Sequence, residues 1–340
     1  MSRFTWCGLV ALTLVACDQS TPPTDPSTAF AVANTVNKRD LGTLGGTNAY
    51  AMGINDSGKV VGHSDTKSSG HHAFIWKAGV FTQLKNLPGS SIGVGNGINL
   101  KGDVVGYVAV AQTVNHAALW RGTTLQDLGT LGGPTSIAYA INAAGTIVGM
   151  SFINQYQRRA FVWQNGQMTQ LPSLGGDDDF AFAINASGVI VGQSERAGGP
   201  DRAIRWQNGI ITDLGDLGGG AAFATGINDQ GAIVGGARMP NNQFHAFLWQ
   251  NGVMKDLGTL PGGVSSQATG INSAGSVVGF STTAAGPNHG FLWKNGVMTD
   301  LGTLGGSFSQ ANGINTQGRI AGFSHTAQIV NHAVVWNVTP

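Results

Sequence analysis

The side chains able to do chemistry gather in one stretch of the chain. Tyr156, Arg158 and Arg159 come first, then the run Asp177, Asp178 and Asp179, then Glu195, Arg196, Asp201 and Arg202, and finally Arg238 and Phe244. Together they offer a face for a polar ligand. The three consecutive carboxylates also supply the hard oxygen donors that Ca²⁺ takes. Two other sets recur along the chain: His72, His116, His245, His289 and His332, and Asp40, Asp127, Asp213, Asp256 and Asp300 before leucine. Their regular spacing argues against chemistry. A metal needs its ligands at ~2.0–2.1 Å, and acid–base catalysis needs two groups in unlike environments. Repeat-equivalent residues are far apart and alike, so hydrogen bonding is their expected role. No helix follows the Gly-Gly runs, so they are not phosphate cradles. No catalytic constellation and no cofactor site is expected.

The elements that must position these groups are written as a repeat. Trp76, Trp120, Trp163, Trp206, Trp249, Trp293 and Trp336 are spaced by 43 or 44 residues. Asn55, Asn99, Asn142, Asn185, Asn228, Asn272 and Asn315 keep the same beat, each with a glycine three residues on. Such a period marks a repeat architecture. In the copy over 242–285, His245 to Trp249 reads as a strand and Asn251-Gly252 as a hairpin turn. Val253 to Leu257 is the partner strand. Ala268 to Asn272 and Ser276 to Phe280 follow across a second tight turn. Four strands per repeat and no helical period predict an all-β fold, a seven-bladed β-propeller of four-stranded blades. The final copy lacks a partner strand, and Arg39-Asp40-Leu41 supplies one, so the N-terminal strand is expected to close the last blade. The Gly-Ile-Asn strand is then innermost and the Trp strand third. The Asn-x-x-Gly turns and Asn-Gly hairpins share one face. The Gly-rich connections and the variable loops share the other, and it is there that the charged stretch is expected.

Composition narrows the rest. The formal net charge is +1 with no basic stripe, which disfavours nucleic acid. Cys7 and Cys17 both lie near the N-terminus, so the repeats carry no disulfide or thiolate metal site. Arg3 and the apolar run Phe4 to Ala16 read as an export signal over 1–16. Leu14-Val15-Ala16-Cys17 resembles a bacterial lipobox, which makes Cys17 the lipidated residue and the membrane the first partner. Residues 17–30 read as a Ser/Thr/Pro linker, and 31–340 as a single propeller, monomeric in expectation.

The recurring His72-Ala73-Phe74 and His245-Ala246-Phe247, with Asp-Leu-Gly-Thr-Leu-Gly-Gly at 40–46, 127–133 and 300–306, resemble the bacterial HAF extracellular repeat family over 39–336. The resemblance implies an exported bacterial protein of the cell envelope and no particular activity. Arg159 and Arg202 replace the histidine, Gly290 the alanine, Ala118, Ile204 and Val334 the phenylalanine, and Gln83 and Gln170 the aspartate. The expectation is an envelope lipoprotein acting as a non-catalytic binding or scaffold module for a protein or glycan. A propeller enzyme acting on envelope polysaccharide and a passive surface spacer are the alternatives.

Overall fold

The computed structural model describes residues 34–339, apart from Ser69 and Thr123. The expectations for the signal peptide, Cys17 and the linker lie outside the described residues. The described chain holds 28 strands and no helix. It forms a unit of its own, Asn34–Thr339.

Each repeat folds as an antiparallel meander. In the Trp76 copy the order is Gly45–Ile54, Val60–Thr66, His71–Lys77, Val80–Gln83. Five sheets have four strands. An eight-stranded sheet joins two such meanders through one parallel bridge, Arg158 to Asp178. The first strand, Thr35–Gly42, pairs antiparallel with the last, Asn331–Thr339. It is the outermost strand of a sheet whose innermost strand is Gly305–Ile314.

Local chemistry explains the turns. Asn165, Asn208, Asn251 and Asn295 adopt φ of 52–54°, each followed by a glycine with positive φ. This is the left-handed pair that matches strand twist in a two-residue hairpin. The second strand of a meander carries a glycine that nothing can replace. A Cβ on Gly192 would lie 1.8 Å from the carbonyl oxygen of Phe180 on the innermost strand. The close approach sits where the ladder shifts register between Ala181 and Ala183.

The innermost strands are tied together by their asparagines. Asn55 Nδ2 donates to the Asn99 carbonyl, and the pattern continues through Asn142, Asn185, Asn228, Asn272 and Asn315. Asn315 then donates to the carbonyl of Asn55, so the series returns to its start. The bonds span 2.9–3.4 Å. Each Oδ1 meanwhile accepts a backbone N–H four residues on, as from Val189 to Asn185. These buried side chains are thus satisfied at both ends, as burial requires.

The core lies between neighbouring sheets. Trp163 packs with Val105, Ala117 and Leu119 of the preceding meander. Trp76 packs with Ala321, Ala333 and Val335 of the last one. A tryptophan at this position presents apolar area to the next sheet, which is why its spacing sets the repeat.

Candidate binding face

Across four of the outer strand pairs, the recurring histidine meets the recurring aspartate. Nδ1 lies 2.8–2.9 Å from the Asp Oδ2 in His116–Asp127, His245–Asp256, His289–Asp300 and His332–Asp40. The same carboxylate accepts from the glycine N–H two residues on, as at Gly129 and Gly258. One aspartate therefore fixes both the hairpin edge and the start of the connection to the next sheet. Two departures from the pattern follow the same geometry, while Arg159 turns instead to the Asp177 carbonyl. Gln83 stands for the aspartate and bonds His72 at 2.8 Å. Arg202 stands for the histidine and reaches Asp213 at 2.9 Å, Asp216 at 2.7 Å and the Gly220 carbonyl at 2.6 Å. Burial opposes the charge of all three, yet these bonds dominate. They raise Arg202 above the usual guanidinium range and lower Asp213 and Asp216.

The charged stretch lies at the variable-loop end, but mostly on strands. Arg158 and Arg159 open the strand Arg158–Gln164, and Asp177 to Asp179 lie within Gly175–Ile184. Glu195 and Arg196 end Ile190–Arg196, and Asp201 and Arg202 open Asp201–Gln207. Arg238 ends Ile233–Arg238 and Phe244 opens Phe244–Gln250. Tyr156 alone stays in a loop, 81% exposed. The expected Gly-rich connection at Gly175-Gly176 is strand because its glycines let the chain hug its neighbour. A Cβ on Gly176 would meet Glu195 Cβ at 2.6 Å.

The three aspartates part company. Asp178 takes Arg158 in a forked pair, Nε to Oδ1 at 2.6 Å with Nη2 on Oδ2. Asp177 accepts from Gln157 Nε2 at 2.8 Å. Asp179 is fully buried, bonded to Ser194 and Ser173, with Arg159 at 3.5 Å. Burial raises its pKa, against those two serines and Arg159. Among the described residues no three His, Cys, Asp or Glu side chains gather in a metal-holding group. The geometry thus gives Ca²⁺ no shared cage at Asp177, Asp178 and Asp179.

Other groups remain presented. Arg158 lies over Phe180 at 4.9 Å, and Arg238 over Phe244 at 5.4 Å. Arg196 pairs with Asp213 while its side chain stays 54% exposed. Glu195 and Asp201 face each other across the strand pair. Burial, then the charges of Glu195 and Asp178, raise the pKa of Asp201, while Arg158 and Arg238 oppose the shift.

A second cluster at the same end went unread in the sequence. It lies where the first and last sheets meet. Tyr50 stacks on His63 at 4.8 Å and meets Phe323 edge-on at 4.9 Å. Asn331 Nδ2 donates to the Tyr50 hydroxyl at 3.0 Å. Phe308 lies against His325 at 5.4 Å. Burial, then neighbouring His71, lower the pKa of His63 to about 4, with Asp65 opposing. The signal was present as variation between copies. After the near-constant Val60-Val61-Gly62, the position of His63 holds Tyr107, Met150, Gln193, Gly236, Phe280 and Phe323 in the other copies. Near the axis, the positions of Met52, Asn96, Tyr139, Phe182, Thr225, Thr269 and Asn312 vary in the same way and line a passage between the innermost strands. Burial pushes the Tyr139 hydroxyl up to about 12.

No family model and no curated protein matches the chain. Solved structures do resemble it. The β-propeller domain of the Trilobed protease from Pyrococcus furiosus aligns at TM-score 0.58 and 9% identity, covering 86% of this chain and 97% of that one. The WD40 β-propeller domain of Doa1 aligns at 0.51 and 13%, covering 88% and 97%. Pyrococcus horikoshii acylaminoacyl peptidase aligns at 0.52 and 12%; 85% of this chain matches about half of that one, 51%. At such identities the likeness speaks for the fold alone: the chain is an all-β protein of the β-propeller kind.

Proposed function

We propose that the protein is a seven-bladed β-propeller of the cell envelope that binds a protein or glycan partner through its variable-loop end. The return of the asparagine series from Asn315 to Asn55 supports seven blades in a closed ring. The motif resemblance supports export as a HAF-repeat protein, and the lipobox supports anchoring through Cys17. The observation carrying the binding role is the contrast between the two ends. At the hairpin end the copies repeat one turn chemistry. At the other end, equivalent positions hold Tyr50, Phe180, Phe223 and Gln267 in different copies, around the charged groups Arg158, Asp201 and Arg238. A frame with one recurring turn chemistry at one end and varied side chains at the other suits recognition.

The test is binding of purified envelope polysaccharides and envelope proteins by the parent and by a Tyr156→Ala/Arg196→Ala/Arg238→Ala variant. The reading expects a ligand whose affinity falls at least tenfold in the variant with an unchanged melting temperature. Equal binding by both would overturn it.

A second reading, an enzyme acting on envelope polysaccharide, draws on one observation. Glu195 and Asp201 form a facing carboxylate pair, and burial, then the charge of Glu195, raises the pKa of Asp201. It expects turnover that Asp201→Asn and Glu195→Gln each abolish without unfolding the protein.

A further inference from the structure

The two ends of the propeller also differ in their balance of charge. At the variable-loop end carboxylates accompany the arginines, as with Arg158, Arg196 and Arg202. The hairpin end carries Lys59, Lys101 and Arg319 on its turns and Lys77, Arg121 and Lys294 at the strand ends beside them. Of these, Arg121 alone has an ion-pair partner among the described residues, Asp103 at a loose 3.9 Å. Three carboxylates share this end, and each is engaged in turn hydrogen bonds. Asp56 accepts from Thr316 N, Asp229 from Ala186 N, and Asp103 from Asn99 Nδ2. Six cations against three carboxylates leave this end with a formal charge of +3.

The same end exposes apolar side chains. Val80, Ile210, Val253 and Val297 each open an outermost strand beside its hairpin, and they are 61–67% exposed. Leu100, beside the asparagine ring, is 59% exposed. Val and Ile at the rim, interleaved with lysines on flat turns, match the headgroup boundary of a bilayer, where apolar groups enter and lysines meet lipid phosphates.

The chain itself enters the fold here. Asn37 pairs with Asn337 beside Lys38–Trp336, the level that Val80–Lys77 holds in the first meander. Thr35, paired with Thr339, lies two residues beyond that level. Sixteen residues separate Cys17 from Asn34, a span that reaches at most about 55 Å. A lipid on Cys17 would join the fold through the strand that enters at this end.

We propose that the hairpin end is a second interaction surface, which lies against an anionic bilayer while the variable-loop end faces away. The tether part of this argument rests on the anchoring reading above. The surface itself does not.

Residues 18–340 contain the whole described fold and lack Cys17, so their binding to vesicles reads the surface alone. Vesicles of phosphatidylethanolamine with phosphatidylglycerol are compared with phosphatidylcholine by co-sedimentation. The proposal expects binding to the anionic vesicles only, weakened at least tenfold between 0.05 and 0.5 M salt as roughly expected from screening. Lys77→Glu/Lys101→Glu/Lys294→Glu should lower it at least tenfold with the melting temperature retained. Lys67→Glu, an exposed change just after Val60–Thr66 at the other end, should leave it unchanged. Equal binding to both vesicle types, no binding, or an equal loss in Lys67→Glu would overturn the proposal. The mass of the N-terminal residue in protein from its native host tests lipidation separately.

Discussion

At the residue scale, Arg202 shows how a departure from the repeat is absorbed. It replaces the recurring histidine, and its side chain is only 11% exposed between Asp213 and Asp216. Arg202→Ala would leave Asp216 without its ion-pair partner and Asp213 with Arg196 alone, at a cost of about 1–3 kcal/mol. Arg202→His restores the usual pair with Asp213 and should recover much of that loss in urea denaturation. His63 supplies a pH dependence. Its folded pKa of about 4 lies below the ordinary 6.5. The neutral form is therefore favoured by folding, and the associated stability is complete above pH 6.5 and lost as pH falls toward 4. The window holds about 3 kcal/mol. His63→Phe, which installs the residue found at Phe280 and Phe323, should flatten urea midpoints between pH 7 and 4.5. An unchanged slope would contradict the burial of His63. The sequence announced the histidine and aspartate series and their structural role. Arg158–Asp178 and Arg159–Asp179 were beyond its reach, because those pairs form between neighbouring meanders.

At the element scale, two residues of the repeat carry most of the geometry. Asn185 donates to the Asn228 carbonyl and accepts from Val189 N and Ser187 Oγ. Asn185→Ala strands buried backbone partners and should cost about 2–4 kcal/mol. Gly192→Ala forces a methyl into the Phe180 carbonyl and should cost about 3 kcal/mol or more, with loss of soluble protein. Both are read from denaturation midpoints against a surface control such as Lys255→Gln. Strand order, the Trp-bearing third strand and the Asn-Gly hairpins were legible in advance, because turn chemistry and hydrophobic spacing are local. The strand character of Asp177 to Asp179 was not. A Gly-Gly pair reads as a loop until the neighbouring strand shows why small residues are needed there.

At the scale of the whole molecule, the ends of the chain hold the last sheet. Removing residues 34–42 would bare the edge of Asn331–Thr339, whose backbone groups pair with Thr35–Gly42. An unpaired edge invites association between molecules. The truncated protein should lose cooperative unfolding and aggregate at concentrations where the parent stays monodisperse, as light scattering would show. The proposals made above put the two ends of the propeller in different surroundings, which site-specific photo-cross-linking in the native host reads directly, with the probe placed in turn at Tyr156, Arg238, Lys77 and Lys294. One discrete protein or glycan adduct is expected from Tyr156 and Arg238, and lipid adducts from Lys77 and Lys294. The same adducts from both ends, or a partner captured from the hairpin end alone, would contradict them.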